Sequence, residues 1–250
     1  MVNEQRIPVS VITVAYNSED TIQRTIESVL NQTYSDIEYL IIDGASTDKT
    51  CEIAQSYTEL FAQKGIAFHI VSEKDQGMYD ALNKGISRAG GALIGSINAD
   101  DWYEPDIVET MVRHYEQDVY DIAWSDIYIH NGDKIFIKHA RNGWLKTTSG
   151  FCHPSMFATA ETLRKLPYAN RFMDDDFDFL LRAYRAGKKV KVYPQALSHY
   201  TIGGMSTHKS FDDMRSRIRM KYSTYRRNGY SSFYWFYCVA IELAKYILVR

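Results

Sequence analysis

The sequence predicts an α/β fold: one mostly parallel, Rossmann-like sheet with helices on both faces, followed by a helical C-terminal tail. Three observations carry that prediction. Short β-branched, apolar runs alternate four times with amphipathic stretches over residues 7–105. The turns between them are short and polar. Carboxylates stand where apolar runs end, and open sheets of this kind place their ligands at those ends.

Residues 9–15 (Val-Ser-Val-Ile-Thr-Val-Ala) are β-branched and mostly apolar, as a strand covered on both faces requires. Asn17 or Ser18 is placed to cap the next helix, where Ile22, Ile26, Val29 and Leu30 recur at helical spacing. Residues 37–42 form a second buried strand ending in Asp43-Gly44. A helix capped by Ser46 or Thr47 then carries Ile53, Tyr57, Leu60 and Phe61, and Gly65 stops it. A third strand over 66–71 leads to a helix over 78–88. The fourth strand runs from Leu93 into Asn98, Ala99, Asp100 and Asp101, with a helix opening near Glu104. Past Pro105 the pattern changes. Residues 120–130 alternate aromatic and polar side chains, and Asn131-Gly132 makes a hairpin turn into 134–138. A strand over 151–157, a helix over 177–186 stopped by Gly187, and a last strand over 189–193 follow. No repeat or low-complexity linker interrupts residues 1–205, which read as one domain in two halves, 1–105 and 106–205, with 206–250 as the tail.

Composition narrows the classes. A chain of 250 residues can bury a large core. A net charge of −2 argues against nucleic acid as the main partner. Cys51, Cys152 and Cys238 are odd in number and lack metal-ligand spacing, which points to a reducing compartment. The apolar run over 7–15 has no small-residue cleavage site, so it reads as a first strand and not a signal peptide. No stretch reaches the roughly 18 apolar residues of a spanning helix.

The segment Asn98-Ala99-Asp100-Asp101 is the most informative. Adjacent carboxylates at the end of a buried run cost desolvation energy unless a cation compensates them. A divalent metal carrying a phosphorylated substrate does so, because hard oxygen ligands suit Mg²⁺ or Mn²⁺. Capping of the next helix is the competing reading. Two absences sharpen the choice. The first turn, Ala15-Tyr16-Asn17-Ser18, holds no glycine, so there is no dinucleotide-binding G-x-G-x-x-G. A P-loop is missing as well. The pyrophosphate of a bound nucleotide must then be neutralised by a carboxylate-held cation, which suits a nucleoside diphosphate leaving group.

These segments, in this order, resemble family 2 glycosyltransferases, which have the GT-A fold. Residues 9–17 look like that family's opening strand and turn. Residues 42–50 (Ile-Asp-Gly-Ala-Ser-Thr-Asp-Lys-Thr) resemble its second-strand motif. Residues 75–85, from Asp75 to Gly85, are similar to the next motif, in the form seen among polysaccharide-assembly members. Asn98-Ala99-Asp100 stands where the family has its Asp-x-Asp metal motif. The match covers nearly all of residues 1–105 and departs at Asn98, usually Asp, so the metal should depend mainly on Asp100.

The resemblance implies a nucleotide-sugar donor, by default a UDP-sugar, and a divalent metal, Mn²⁺ or Mg²⁺. It makes 1–105 the nucleotide-sugar half and 106–205 the acceptor half. Ala15, Tyr16, Asn17, Asp43, Asp75, Asn83, Lys84, Asn98, Ala99 and Asp100 would surround the nucleotide, and Asp100, Asp101 and His199 would meet the metal. The residues themselves leave plainer roles open. Tyr16 can be packing, Asp43, Asp75 and Asp80 can cap helices, and Asn83 and Lys84 can lie on a solvated helix face. His199 and His153 can be structural, and Trp102 and Trp144 can pack in a core or stack on sugars.

Asp174-Asp175-Asp176 and Asp178 stand before an apolar, Arg-containing helix. An acidic first turn is an ordinary helix feature. The stretch also resembles the family's acidic motif, whose last acid is the general base, which selects Asp176 with Asp175 as the alternative. The implied reaction is an inverting single displacement onto a hydroxyl of a glycan or lipid-linked glycan, as in polysaccharide or lipopolysaccharide assembly. Gly203-Gly204-Met205-Ser206 resembles the Gly-Gly-x-Ser segment that closes many such domains. From Lys209 onward, nine Lys or Arg face three acids, and residues 233–241 are densely aromatic and apolar. That tail suits either an interfacial helix on an anionic membrane or a helix packed on protein. The implied location is the cytoplasm, free or peripheral on the inner face of the membrane. Two other classes stay open: a glycosidase, which needs two carboxylates but no nucleotide, and a silent sugar-nucleotide-binding protein.

Overall fold

The computed structural model describes residues 6–171, 174–202 and 210–248 and is built on a nine-stranded sheet. Strand β1 (Val9–Ala15) lies between β2 (Ile37–Asp43) and β4 (Leu93–Asn98), with β3 (Ala67–Ser72) outside β2, all parallel. Beyond β4 the direction changes. β8 (Phe157–Thr159) runs antiparallel to both β4 and β6 (Ile122–Asn131). β9 (Val190–Thr201) is parallel to β6 and carries β5 (Trp102–Tyr103) at the edge. β7 (Lys134–Lys138) folds back on β6 through Gly132, whose φ of 58° fits the expected hairpin turn.

Period-2 alternation explains the layers. Ile12, Leu40, Ile42 and Ile94 belong to one core, whereas Val11, Tyr39, Ile41 and Ile97 belong to the other. Both sets are apolar, so both faces need cover. α4 (Met78–Arg88) and α7 (Asp175–Arg185) cover the first, and α1 (Ile22–Leu30) and α5 (Ile107–Gln117) the second. Gly95 lets the layers close, because a Cβ there would lie 2.6 Å from the Phe157 ring.

Several local expectations are corrected. Neither Asn17 nor Ser18 caps α1 with its side chain: the helix opens after Thr21, and the Ser18 carbonyl accepts from Thr21 and Ile22 N–H. Neither Ser46 nor Thr47 caps the next helix, since Asp48 Oδ1 accepts from Thr50 N–H at 3.0 Å. That helix breaks at Tyr57 into α2 (Thr50–Ser56) and α3 (Thr58–Lys64), and Gly65 ends the second at φ 71°. α5 opens at Ile107, too late for Asp100 or Asp101 to cap it. The strand expected over 151–157 is mostly turn, because a 3₁₀ turn at His153–Ser155 leaves only Phe157–Thr159 to pair, ahead of the short α6 (Ala160–Lys165). The last strand extends to Thr201, since β6 and β5 give it partners that local pattern does not reveal.

The tail is helical, as expected, and packs on the body. α8 (Phe211–Arg227) starts in a capping box between Ser210 and Asp213 and buries Met214, Ile218 and Tyr225. Asn228, just past it, donates to Asp178 Oδ1 at 2.8 Å. α9 (Tyr234–Leu248) lies on α8, and its buried Glu242 accepts from Arg217 Nε at 2.9 Å and Lys221 Nζ at 2.5 Å. Phe233, Phe236 and Ile247 remain exposed. Among the described residues, no helix is long and apolar enough to cross a membrane.

Candidate active site

The carboxyl ends of β1 and β2 are laced together. The Ala15 carbonyl accepts from Gly44 N–H at 2.9 Å. Asn17 takes a left-handed φ of 47°, its N–H donates to Ser46 Oγ, and its Oδ1 accepts from Thr47 N–H. Asp43 is fully buried and accepts from the Ser46 amide and hydroxyl and from Ser72 Oγ. Burial alone would raise its proton affinity, but these donors outweigh it and hold Asp43 below the usual carboxylate range. Tyr16 stands clear of this lacing at 64% exposure. Asp75 reaches over the same place: a Cβ on Gly44 would lie 2.5 Å from Asp75 Oδ2 and 3.3 Å from the Tyr16 ring. Tyr16, Gly44 and Asp75 thus border one spot at the strand ends.

The side chains of Asn83 and Lys84 are engaged within the protein. The Asn83 amide is spent on the Tyr168 backbone, accepting at 3.0 Å and donating at 2.8 Å. Lys84 Nζ donates to the Lys74 carbonyl and pairs with Asp80 and Glu73. Both residues serve as ties between α4 and its neighbours, where contacts to ribose or phosphate had been expected.

At the end of β4 the two carboxylates point different ways. Asp101 is fully buried, with Oδ1 accepting from Thr201 N–H at 3.0 Å and Oδ2 from Asn98 Nδ2 at 3.4 Å. Burial, and then the neighbouring Asp100 charge, push its proton affinity far above the usual range. It fastens β9 to the end of β4. Ala99 is buried beside it. Asp100 is half-buried, and desolvation raises its proton affinity against the partial relief of Arg24. The Arg24 guanidinium donates to the Asp100 carbonyl at 3.1 Å and lies 3.5 Å from the Trp102 ring centroid.

Sheet register builds an aromatic ladder next to this turn. Trp102 pairs with His199 and His199 with Tyr128, so the rings stack at 4.5 and 4.7 Å. His199 Nε2 lies 2.6 Å from Glu104 Oε1, and Nδ1 lies 2.9 Å from His130 Nε2. Both ring nitrogens are therefore engaged within the protein, and His199 does not join Asp100 and Asp101 in a ligand set. Among the described residues, no three His, Cys, Asp or Glu side chains are grouped to hold a metal ion. Gly203-Gly204-Met205-Ser206 falls outside the described residues.

The acidic run before α7 also splits. Asp174 is buried and accepts from Thr224 Oγ1 at 2.9 Å. Asp175 is fully buried and accepts from the Arg171 N–H. Asp178 is buried between Arg182 Nε at 2.9 Å and Asn228 Nδ2 at 2.8 Å. Asp176 alone of the four is half-exposed. Its charge reaches Tyr79, Tyr168 and His153. Tyr79 stacks on Tyr168 at 5.4 Å, and His153 Nε2 lies 3.4 Å from the Tyr168 hydroxyl. Burial lowers the proton affinity of His153, with Asp176 opposing. Because β8 is antiparallel to β4, the 153–155 turn comes to the same end of the sheet as Asp100. Tyr79 and Tyr168 were missed from the sequence. Tyr79 lies inside the 75–85 motif, which was the available signal, whereas Tyr168 has none.

Comparisons with known proteins agree with this architecture. A sequence model described as glycosyl transferase family 2 matches residues 10–186. An uncharacterized glycosyltransferase of Methanocaldococcus jannaschii, MJ1057, is 30% identical over 226 residues, covering 84% of this chain and 76% of that protein. Chondroitin synthase of Pasteurella multocida is 38% identical over 114 residues, 45% of this chain but 11% of the synthase. Other bacterial relatives are matched over only 17–36% of their own length. Among solved structures, S. aureus TarS 1–349 with UDP-GlcNAc superposes with a TM-score of 0.71 at 17% identity, covering 97% of this chain and 73% of TarS. Mannosyltransferase PcManGT of Pyrobaculum calidifontis, with GDP-Man and Mn²⁺, gives 0.67 at 17%, covering 97% and 70%. At these identities the structural likeness establishes the GT-A fold.

Proposed function

The chain belongs to glycosyl transferase family 2, and from that premise we propose that it moves a sugar from a nucleoside diphosphate, by preference UDP, to a hydroxyl of a glycan or lipid-linked glycan. The observation that supports this reading is that two half-exposed acids lie toward one end of the sheet, Asp100 after β4 and Asp176, whose charge reaches His153 in the turn before β8. Tyr16 offers an exposed ring for the base, and Asp75 and Gly44 border the ribose side. Solved structures of similar fold hold UDP-GlcNAc or GDP-Man, which supports a nucleotide-sugar donor.

The residues fit a divalent cation in one respect. Asp100 is a half-buried carboxylate whose charged form is destabilised, and Mg²⁺ or Mn²⁺ commonly takes one or two carboxylates plus substrate phosphates. Asp100 is the residue that would hold it, with Asp101 bracing the turn from beneath. Bound there, the ion supplies neutralisation of charge on the departing diphosphate.

Asp176 takes the proton from the attacking hydroxyl, which must come within about 3 Å. Direct attack opposite the leaving group inverts the anomeric centre. Burial lowers the proton affinity of His153, so it competes less for that proton and can orient a hydroxyl beside Tyr168. In this reading residues 1–105 hold the donor and 106–205 the acceptor. The exposed Phe233, Phe236 and Ile247, together with the basic α8, favour peripheral contact with an anionic membrane. Flotation with anionic vesicles tests that contact, and a chain with Phe233, Phe236 and Ile247 changed to Ser should lose it.

Calorimetric titration of UDP, with Mn²⁺ and then with EDTA, tests the donor site. Micromolar binding that needs the metal and disappears in Asp100→Ala is expected. Binding indifferent to both would end the reading.

A further inference from the structure

Behind α7, away from Asp176, lies a cavity of about 220 Å³. Phe177, Leu180 and Tyr184 face it at helical spacing, and Trp124 adds a further apolar wall. Asp176 instead reaches Tyr79, Tyr168 and His153, none of which lines this cavity.

Its other wall is the loop 141–149, which is cationic. Arg141 and Lys146 both line the cavity, and no carboxylate does. Among the described residues, neither makes an ion pair. Lys146 Nζ gives two hydrogen bonds, to Asn142 Oδ1 and the Gly143 carbonyl, each at 2.9 Å. The same Nζ lies 4.0 Å from the Tyr184 ring centroid, over the ring face. Burial lowers the proton affinity of Lys146, a cost that a bound anion would relieve. Thr147 and Ser149 add hydroxyls to the rim.

The loop is held in place. Tyr225 donates its hydroxyl hydrogen to the Lys146 carbonyl at 2.6 Å, and the Lys146 N–H donates to the Tyr234 hydroxyl at 3.3 Å. Both tyrosines belong to the tail. Two cations without a carboxylate partner, Lys146 over the Tyr184 ring and the exposed Arg141, stand beside hydroxyls and describe an anion site with room for one ring. The volume lies below the roughly 300–1,000 Å³ of sites for larger ligands. The half-buried Tyr184 ring and the scattered hydrogen-bonding groups suit a pyranose. A lipid tail would need a longer apolar channel.

We propose that this cavity binds one acidic saccharide unit, a hexuronate or a phosphorylated hexose, in a part of the acceptor glycan remote from the reacting hydroxyl. The word acceptor rests on the glycosyltransferase reading, whereas the binding itself does not. The test is NMR titration of the full chain, following the Trp124 indole N–H signal assigned with Trp124→Phe. Glucuronate, glucose 6-phosphate, glucose and inorganic phosphate are the probes. Glucuronate or glucose 6-phosphate should shift the signal at least about tenfold more tightly than glucose. The tighter of the two identifies carboxylate or phosphate as the anion. K146Q and R141Q should each weaken that binding about tenfold, K146R should retain it, and UDP affinity should be unchanged in all three. Equal binding of glucose, silence at Trp124, or inorganic phosphate binding as tightly as glucose 6-phosphate would overturn the proposal. Failure of UDP to bind while the acids still do would overturn the donor reading alone.

Discussion

The turn after β4 and the start of α7 each carry consecutive carboxylates, yet the protein treats the two runs differently. At the β4 end, Asp101 is turned inward onto Thr201 N–H and Asp100 is left half out, relieved in part by a backbone hydrogen bond and by the Arg24 charge. At α7, three of four acids are turned inward, each accepting at least one hydrogen bond from α8, Arg182 or backbone, and Asp176 is left half out. Successive residues of a helix point about 100° apart, so a run of acids cannot share one environment. In each place one carboxylate is left half-exposed while its neighbours hold the structure together. The difference lies in charge. Desolvation raises the proton affinity of both β4 acids, whereas Asp178 is compensated from within by Arg182 and Asn228.

The largest effect should come from Asp176→Asn, with kcat lower by roughly 10²–10⁴-fold and UDP binding unchanged. Single-turnover assays with a transferable sugar would show it, and an equal loss in Asp175→Asn at unchanged stability would shift the base to Asp175. Next, Asp178→Ala should cost about 3–5 kcal/mol of stability, because it strands Arg182 and the Asn228 amide at a buried site. Thermal denaturation measures this, and an unchanged melting temperature would mean the α7–α8 clasp is idle. Asp100→Ala should weaken metal-dependent UDP binding by at least about 100-fold while leaving the fold intact. A matching loss in Asp101→Asn without loss of stability would reverse the roles assigned to the pair.

The smallest effect concerns pH. The tail's Glu242 is penalised by burial, but Lys221 and the other cations outweigh that and bring it down to about 2 from 4.5. A depressed acid contributes stability that is present above its unfolded value and is lost as pH falls through its folded value. Acid unfolding should therefore steepen between pH 4.5 and about 2, and Glu242→Gln should flatten that limb. Identical acid limbs in the two proteins would show that α9 is not held by these pairs.

Legibility follows the range of the forces involved. β1, β2, β4 and α4 were readable because burial on both faces and helical spacing are local patterns. β5 and the extension of β9 were not, since each exists only because the other lies beside it. The same holds within the site. Asp100 and Asp176 could be selected as candidates from their motifs, but Asn83, Lys84 and His199 look equally available in a sequence. Tyr168, Lys74, Glu104 and His130, which occupy them, are distant in the chain or belong to another element.

By itself the sequence determined the alternation of strands and helices up to the end of β4 and membership of glycosyl transferase family 2. These follow from residue type and short-range spacing, which survive without knowledge of neighbours. Only the tertiary structure decided which acid in each run faces out, that the tail packs on α7 through Asp174 and Asp178, and that Arg141 and Lys146 share a cavity without a counter-charge. Burial and pairing are properties of surroundings, and the surroundings of a side chain are assembled from segments that the linear sequence keeps apart.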